Sequence, residues 1–199
     1  MASMTGPLGG RPATTSAREL ADTAQRLFLE RGFDEVGVDD IAAAAGVSRR
    51  TFFRYFSTKS DVLWVETAAE NEQFAALLAE ADPAEAYDQV ITRAALTVQS
   101  ITTPAKRDWA LHRAQLVFSV PAVQAQLWNA FTGWRTAARA FAARQTGRDE
   151  SDFFPLAVGQ ALVAAVLTAS EYWVRHPQTE LEPALVRALA LQLPPDPRF

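Results

Sequence analysis

The sequence predicts an all-α fold of about nine helices, and three observations carry that prediction. Alanine, the strongest helix former, supplies 38 of the 199 residues. Helix caps and glycine stops recur along the chain at helix-length intervals. No run of alternating β-branched residues bounded by hairpin turns occurs, so no sheet is expected.

The elements follow in order. Ser16-Ala17-Arg18-Glu19 is a capping box, in which each side chain satisfies an amide left open at the helix start. It opens a helix with Leu20, Ala24, Leu27 and Phe28 on one face, closed by Arg31-Gly32. A short helix over about 38–45 turns Val38, Ile41, Ala42 and Ala45 inward, and Gly46 ends it. Ser48 caps a third helix, about 49–55. Thr58-Lys59-Ser60-Asp61 is a second box, expected to open a long fourth helix reaching about residue 80. Asp82-Pro83-Ala84-Glu85 joins an N-cap, a first-turn proline and a Glu three residues on. The helix after it buries Tyr87, Val90, Ile91, Ala94, Val98 and Ile101. Thr103-Pro104 starts a helix to about Phe118, and Ser119-Val120-Pro121 a long one to about Arg144, broken by Gly147. Two final helices cover 153–175 and 181–192, and no internal repeat is present.

Composition excludes several chemistries. The chain has no cysteine, which removes disulfides, thiolate nucleophiles and cysteine-ligated zinc. Only His112 and His176 are histidines, so a histidine-rich metal site is out. No nucleophile elbow, P-loop, GxGxxG or HExxH motif occurs, and no cofactor or metal is implied. Apolar residues at 49% and charged residues at 21% describe a folded chain long enough for one domain or two small ones. Residues 1–15 contain no apolar core segment and read as a flexible arm rather than a secretory signal. Residues 153–170 carry no charge, at the lower limit for a membrane span. Pro155, Gly159, Gln160, Thr168 and Ser170 interrupt them, so a buried interface helix is the better reading, with no membrane partner.

The net charge of −4 argues against a nucleic-acid partner only until it is divided. Residues 1–60 hold eight basic and seven acidic residues, a net of +1, and residues 61–199 hold a net of −5. Arg49, Arg50, Arg54 and Lys59 are bunched with no acid among them. They lie in the most informative segment, Gly32 to Asp61, which reads as helix, tight glycine turn, helix. Such a unit presents its second helix to the DNA major groove. Phe52 and Phe56, four apart, face the core, while Arg49, Arg50, Phe53 and Arg54 lie mostly on other sides. Taken alone, the arginines are an ordinary solvated face. Set inside the glycine-turn unit, they read as DNA contacts.

This segment resembles the DNA-binding domain of the TetR family of bacterial transcriptional regulators. The matching pieces are Arg31-Gly32-Phe33, Ile41-Ala42, Ala45-Gly46-Val47-Ser48, Thr51, Tyr55-Phe56, Lys59 and Asp61. Three positions depart from the family pattern: Arg50 where a small residue is frequent, Phe53 for a tyrosine, and Gly37 for a capping Thr or Ser. The run from Arg49 to Phe56, followed by Asp61 and Trp64, is similar to regulators of the mycofactocin system.

The resemblance implies a DNA-binding set of Ser48, Arg49, Arg50, Thr51, Phe53, Arg54, Tyr55 and Lys59. Arg49, Arg50 and Thr51 would reach base edges and phosphates, with guanine the natural arginine partner. Arg54 and Tyr55 match further contacts, Lys59 a phosphate-contacting lysine, and Phe53 is restricted to apolar contact. Gly10-Arg11-Pro12 could lie along a groove, though a simple tail is the plainer reading. The resemblance further implies a helix-turn-helix domain over 16–61 and a ligand-binding and dimerisation domain over 62–199. The regulator would be a cytoplasmic homodimer, paired through helices 153–175 and 181–192 and reading a palindromic operator. Its activity would be repression released by a small apolar ligand, of acyl or other type, with helix 59–80 as the lever.

Aromatics gather where this family holds its ligand, which nominates Trp109, His112, Trp128, Phe131, Trp134 and Tyr172, with Phe141 and Trp173 as further members. Each one singly is more often core. His112 and Asp108 stand four apart on one helix and are better read as a salt-bridged or buried pair than as metal ligands. Leu181, Leu185 and Leu189 are core or dimer seam. A different class, an all-helical carrier or enzyme without DNA binding, has little support in the motifs.

Overall fold

The computed structural model describes residues 15–82 and 84–196, and the expected arm and its Gly10-Arg11-Pro12 lie outside them. Every regular element among the described residues is helical. The chain divides into two compact units, Met1–Val62 and Leu63–Phe199.

The first unit holds α1 (Ala17–Arg31), α2 (Val38–Ala44) and α3 (Arg49–Tyr55). The Ser16 box forms as expected: the Glu19 N–H donates to Ser16 Oγ, and the Ser16 N–H donates to Glu19 Oε2 at 2.8 Å. Leu20, Ala24, Phe28, Ile41 and Phe52 are buried together with Phe33, Phe56 and Val62 as the apolar faces of three short helices.

The fourth helix differs from its expectation. Only half of the Thr58 box forms: Asp61 Oδ2 accepts from the Thr58 N–H at 2.8 Å, but the Asp61 N–H donates to the Thr58 carbonyl and not to its hydroxyl, and the segment opens as a 3-10 turn, Lys59–Trp64, not as a long α-helix. Asp61 also accepts from the Ser57 N–H and the Thr58 hydroxyl, so three donors wind the turn tightly round one carboxylate. The α-helix α4 (Thr67–Ala79) starts only afterwards.

In the second unit α4 is followed by α5 (Tyr87–Val98) and α6 (Pro104–Ser119). Asp82 caps a turn through the Ala84 N–H, and Glu85 pairs with Arg93, so α5 begins at Tyr87 rather than at the proline. The single long helix expected over 119–144 is three pieces: α7 (Pro121–Gln124), α8 (Leu127–Ala130) and α9 (Thr132–Thr146). Two contacts fix the breaks. Gln126 Oε1 accepts from Trp64 Nε1 at 2.6 Å, and α9 meets α4 where a Cβ on Gly133 would fall 2.5 Å from Asn71.

The last helices, α10 (Phe153–Arg175) and α11 (Leu181–Gln192), carry much of the core. Leu181, Leu185 and Leu189 are buried in it within the chain. By length and composition α10 could cross a membrane, but 44% of its apolar window is already buried against protein.

Candidate nucleic-acid interface and ligand cavity

The basic helix is set by its turn. Gly46 has φ of 68°, a left-handed conformation that a residue with a side chain adopts only under strain. The next N–H, of Val47, donates back to Ala42, which folds the chain from α2 into α3. Ser48 caps α3 by accepting from the Thr51 N–H, and its hydroxyl lies 2.9 Å from that of Thr51. Phe52 is fully buried and meets Phe56 at a ring distance of 5.5 Å, which anchors the inner face of α3. Arg49, Arg50, Phe53 and Arg54 are then left exposed, and Arg50, Thr51, Phe53 and Arg54 line one shallow depression.

Two of the residues expected to touch DNA have other work. Lys59 Nζ donates to the carbonyls of Phe33 (2.7 Å) and Val36 (3.0 Å) and lies over the Phe33 ring. It is a strut that ties the loop after α1 to the start of the 3-10 turn. The Tyr55 hydroxyl donates to the Thr15 carbonyl at 2.7 Å and accepts from Arg54 at 3.0 Å, so it too is committed. Arg49 pairs with Asp39 on α2 at 2.7 Å, both side chains remaining exposed. At Gly37, where a Thr or Ser cap is missing, only the reciprocal half of a capping box is made: Asp40 Oδ2 accepts from the Gly37 N–H at 2.8 Å. That amide, and next the Arg31 guanidinium 3.1 Å away, hold the Asp40 carboxyl below its ordinary range.

The second unit holds a half-open cavity of about 60 Å³. Trp64, Val117, Phe131, Val166 and Trp173 give it apolar walls. Its charged lining residues are Glu70 on α4 and Arg113 on α6. Both Arg113 terminal nitrogens lie 3.2 Å from Glu70 Oε1, and the side chains are only 15% and 21% exposed. The guanidinium also rests on the Trp109 ring, 4.8 Å from its centroid.

The aromatic residues of this unit take different places relative to the cavity. Phe131 lines it, as does Trp173 of the wider group. Trp109 is buried and acts through Arg113. Trp134 stacks flat on Phe74 at 4.3 Å and, with Phe141, belongs to the core. Trp128 is 58% exposed beneath Arg135, and Tyr172 is 47% exposed beside His176. His112 and Asp108 are both exposed, because their side of α6 faces solvent, so no buried pair forms. No cluster of potential metal ligands occurs among the described residues.

Residues 16–63 match the family described as bacterial regulatory proteins, tetR family, and residues 85–195 match the MftR C-terminal domain. The chain belongs to the TetR family. It is a DNA-binding transcriptional regulator with an MftR-type C-terminal domain. A protein of Mycobacterium tuberculosis provisionally named as the mycofactocin biosynthesis transcriptional regulator MftR is 32% identical over 176 residues, 88% of each chain. The HTH-type regulator EthR of Mycolicibacterium smegmatis is 49% identical over 61 residues, 29% of this chain and 28% of its own. Among solved structures, the TetR-family repressor FadR of Thermus thermophilus in complex with lauroyl-CoA superposes with a TM-score of 0.58. That likeness is 25% identical and covers 89% of this chain and 93% of FadR.

Nothing local in the sequence marks Arg113 and Glu70 as partners. A Glu and an Arg 43 residues apart carry no local pattern, and neither α4 nor α6 has a marked apolar face that would single them out.

Proposed function

We propose that this TetR-family regulator is a repressor, a homodimer that holds a palindromic operator until a small apolar ligand enters the second unit. Its contact surface is Ser48, Arg49, Arg50, Thr51, Phe53 and Arg54, with Tyr55 and Lys59 positioning α3 from behind. The carrying observation is the exposed basic face of α3, held by a buried Phe52 and a capped N-terminus. Helix N-termini and arginines together suit phosphates and guanine edges.

Residues 16–61 are the DNA-binding domain in this reading, and 62–199 the ligand-binding and dimerisation domain. Dimerisation through α10 and α11 is supported by their uncovered apolar groups: Phe153, Leu156, Tyr172, Val186 and Leu191 are exposed. An isologous pair through these helices would set two recognition helices about 34–36 Å apart. Acyl-type ligands are supported by the relationship to FadR, solved with lauroyl-CoA, and mycofactocin genes as targets by the MftR-like C-terminal domain. The protein works in the cytoplasm and carries out no catalysis of its own.

The test is anisotropy titration of a labelled fragment spanning the intergenic DNA upstream of its gene. Arg50→Ala and Arg54→Ala should each weaken binding by about 1–3 kcal/mol while leaving the thermal midpoint in place. Unchanged affinity in both variants would sink the assignment.

A further inference from the structure

The ligand reading leaves open what the cavity demands of a ligand beyond an apolar body, and this inference rests on that reading. We infer that the cavity selects an apolar chain bearing one anionic group, that Arg113 binds the anion, and that it does so by surrendering Glu70.

The Glu70–Arg113 pair supplies the charge of the cavity lining, and its neutral state is reached only internally. A charged ligand entering must therefore take one partner and release the other. The two releases are not equivalent. Arg113 directs both terminal nitrogens at a single carboxylate oxygen and keeps the Trp109 face beneath it whether or not Glu70 stays. A guanidinium held on a ring offers its planar fork to an incoming carboxylate or phosphate without reorganising. Glu70, once released, sits in the first turn of α4, at the positive end of the helix dipole, and it is the more exposed of the two. A cation would do the opposite. It would capture Glu70 and strand a less exposed arginine that cannot deprotonate.

The exchange has a mechanical side. Glu70–Arg113 joins α4 to α6, and Trp64–Gln126 joins the turn before α4 to the break between α7 and α8. At about 60 Å³ the cavity is smaller than the several hundred cubic ångströms of an occupied ligand site, so a chain can enter only as its walls part. The anion supplies the trade that lets α4 leave α6.

Three probes of one chain length separate the possibilities: dodecanoate, dodecanol and dodecylammonium, each titrated below its aggregation concentration against the full-length protein by tryptophan fluorescence. Dodecanoate should bind at least tenfold tighter than either of the others. Arg113→Gln should bring the dodecanoate-to-dodecanol ratio close to one, Arg113→Lys should keep part of it, and Glu70→Gln should tighten dodecanoate several-fold by removing the competitor. Because Arg113→Gln leaves a carboxylate half-buried, the Glu70→Gln/Arg113→Gln pair provides a charge-free cavity that should bind dodecanol best. If dodecanol binds and dodecanoate shows no preference, or Arg113→Gln keeps the ratio, the anion assignment is wrong while the cavity reading stands. If dodecylammonium binds tightest, the assignment is reversed. If none of the three binds, the cavity reading falls and takes this inference with it.

Discussion

The two functional regions are built on opposite plans. The basic face of α3 is made of exposed side chains whose backbone is held by short-range contacts: the Ser48 cap three residues from Thr51, the Gly46 turn, and Phe52 against Phe56. The cavity is made of half-buried side chains held by contacts across 43 and 62 residues, Glu70–Arg113 and Trp64–Gln126. A surface that must meet a rigid duplex is best preorganised locally, since misplacement there is lost affinity. A cavity that must open is better closed by a few polar links between distant segments, because each can be traded for a ligand contact.

The largest effects should come from removing each region's anchor. Phe52→Ala and Trp134→Ala should each lower stability by about 3–5 kcal/mol in chemical denaturation. Only Phe52→Ala should also abolish DNA binding by the folded fraction at low temperature. Equal loss of binding in Trp134→Ala would mean the regions are not separable. Caps come next. Ser48→Ala and Thr103→Ala, which remove the side-chain caps of α3 and α6, should each cost about 1 kcal/mol in thermal unfolding. Operator affinity should fall only in the first. An equal fall in both would deny that α3 is the recognition helix.

The smallest effect is pH-dependent and confined to the first unit. The Asp40 carboxyl is depressed in the folded chain by the Gly37 amide and Arg31, so its contribution is present above its unfolded value of about 3.9 and lost as pH falls through the lower folded value. Thermal midpoints between pH 5 and pH 2 should therefore fall slightly less steeply in Asp40→Asn than in the parent. A steeper fall would show that Asp40 is not the group being titrated.

How far each region could be read from residues follows from the same difference in plan. The Ser16 and Ser48 caps, the Gly46 turn and the Phe52–Phe56 pair are all encoded within a few residues, and the structure has each of them, whereas the Thr58 box keeps only its Asp61 half. For Lys59 and Tyr55 the family resemblance implies DNA contacts, whereas the partners they have within the chain are main-chain carbonyls, which leave no mark in a sequence. The helix expected over 59–80 and the one over 119–144 had suitable periodicity, but Asp61's three donors and Gly133's approach to Asn71 are matters of local winding and distant packing. Aromatic residues do not by themselves mark which side chains line the cavity: Trp134 stacks on Phe74 in the core, and Trp128 and Tyr172 are exposed.

The pairing of Arg49 with Asp39 has a consequence for ionic strength. An arginine that arrives already neutralised has gathered few anions of its own and leaves a bare carboxylate beside the duplex when it turns to a phosphate. It therefore contributes less than Arg50 or Arg54 to the counterion release that makes protein–DNA affinity fall with salt. Asp39→Asn would free it, and the slope of log affinity against log salt should then steepen by up to about 0.9 per DNA-bound protomer. If α3 is the recognition helix proposed above, the acid on α2 acts as a governor on how strongly it holds DNA that carries no operator.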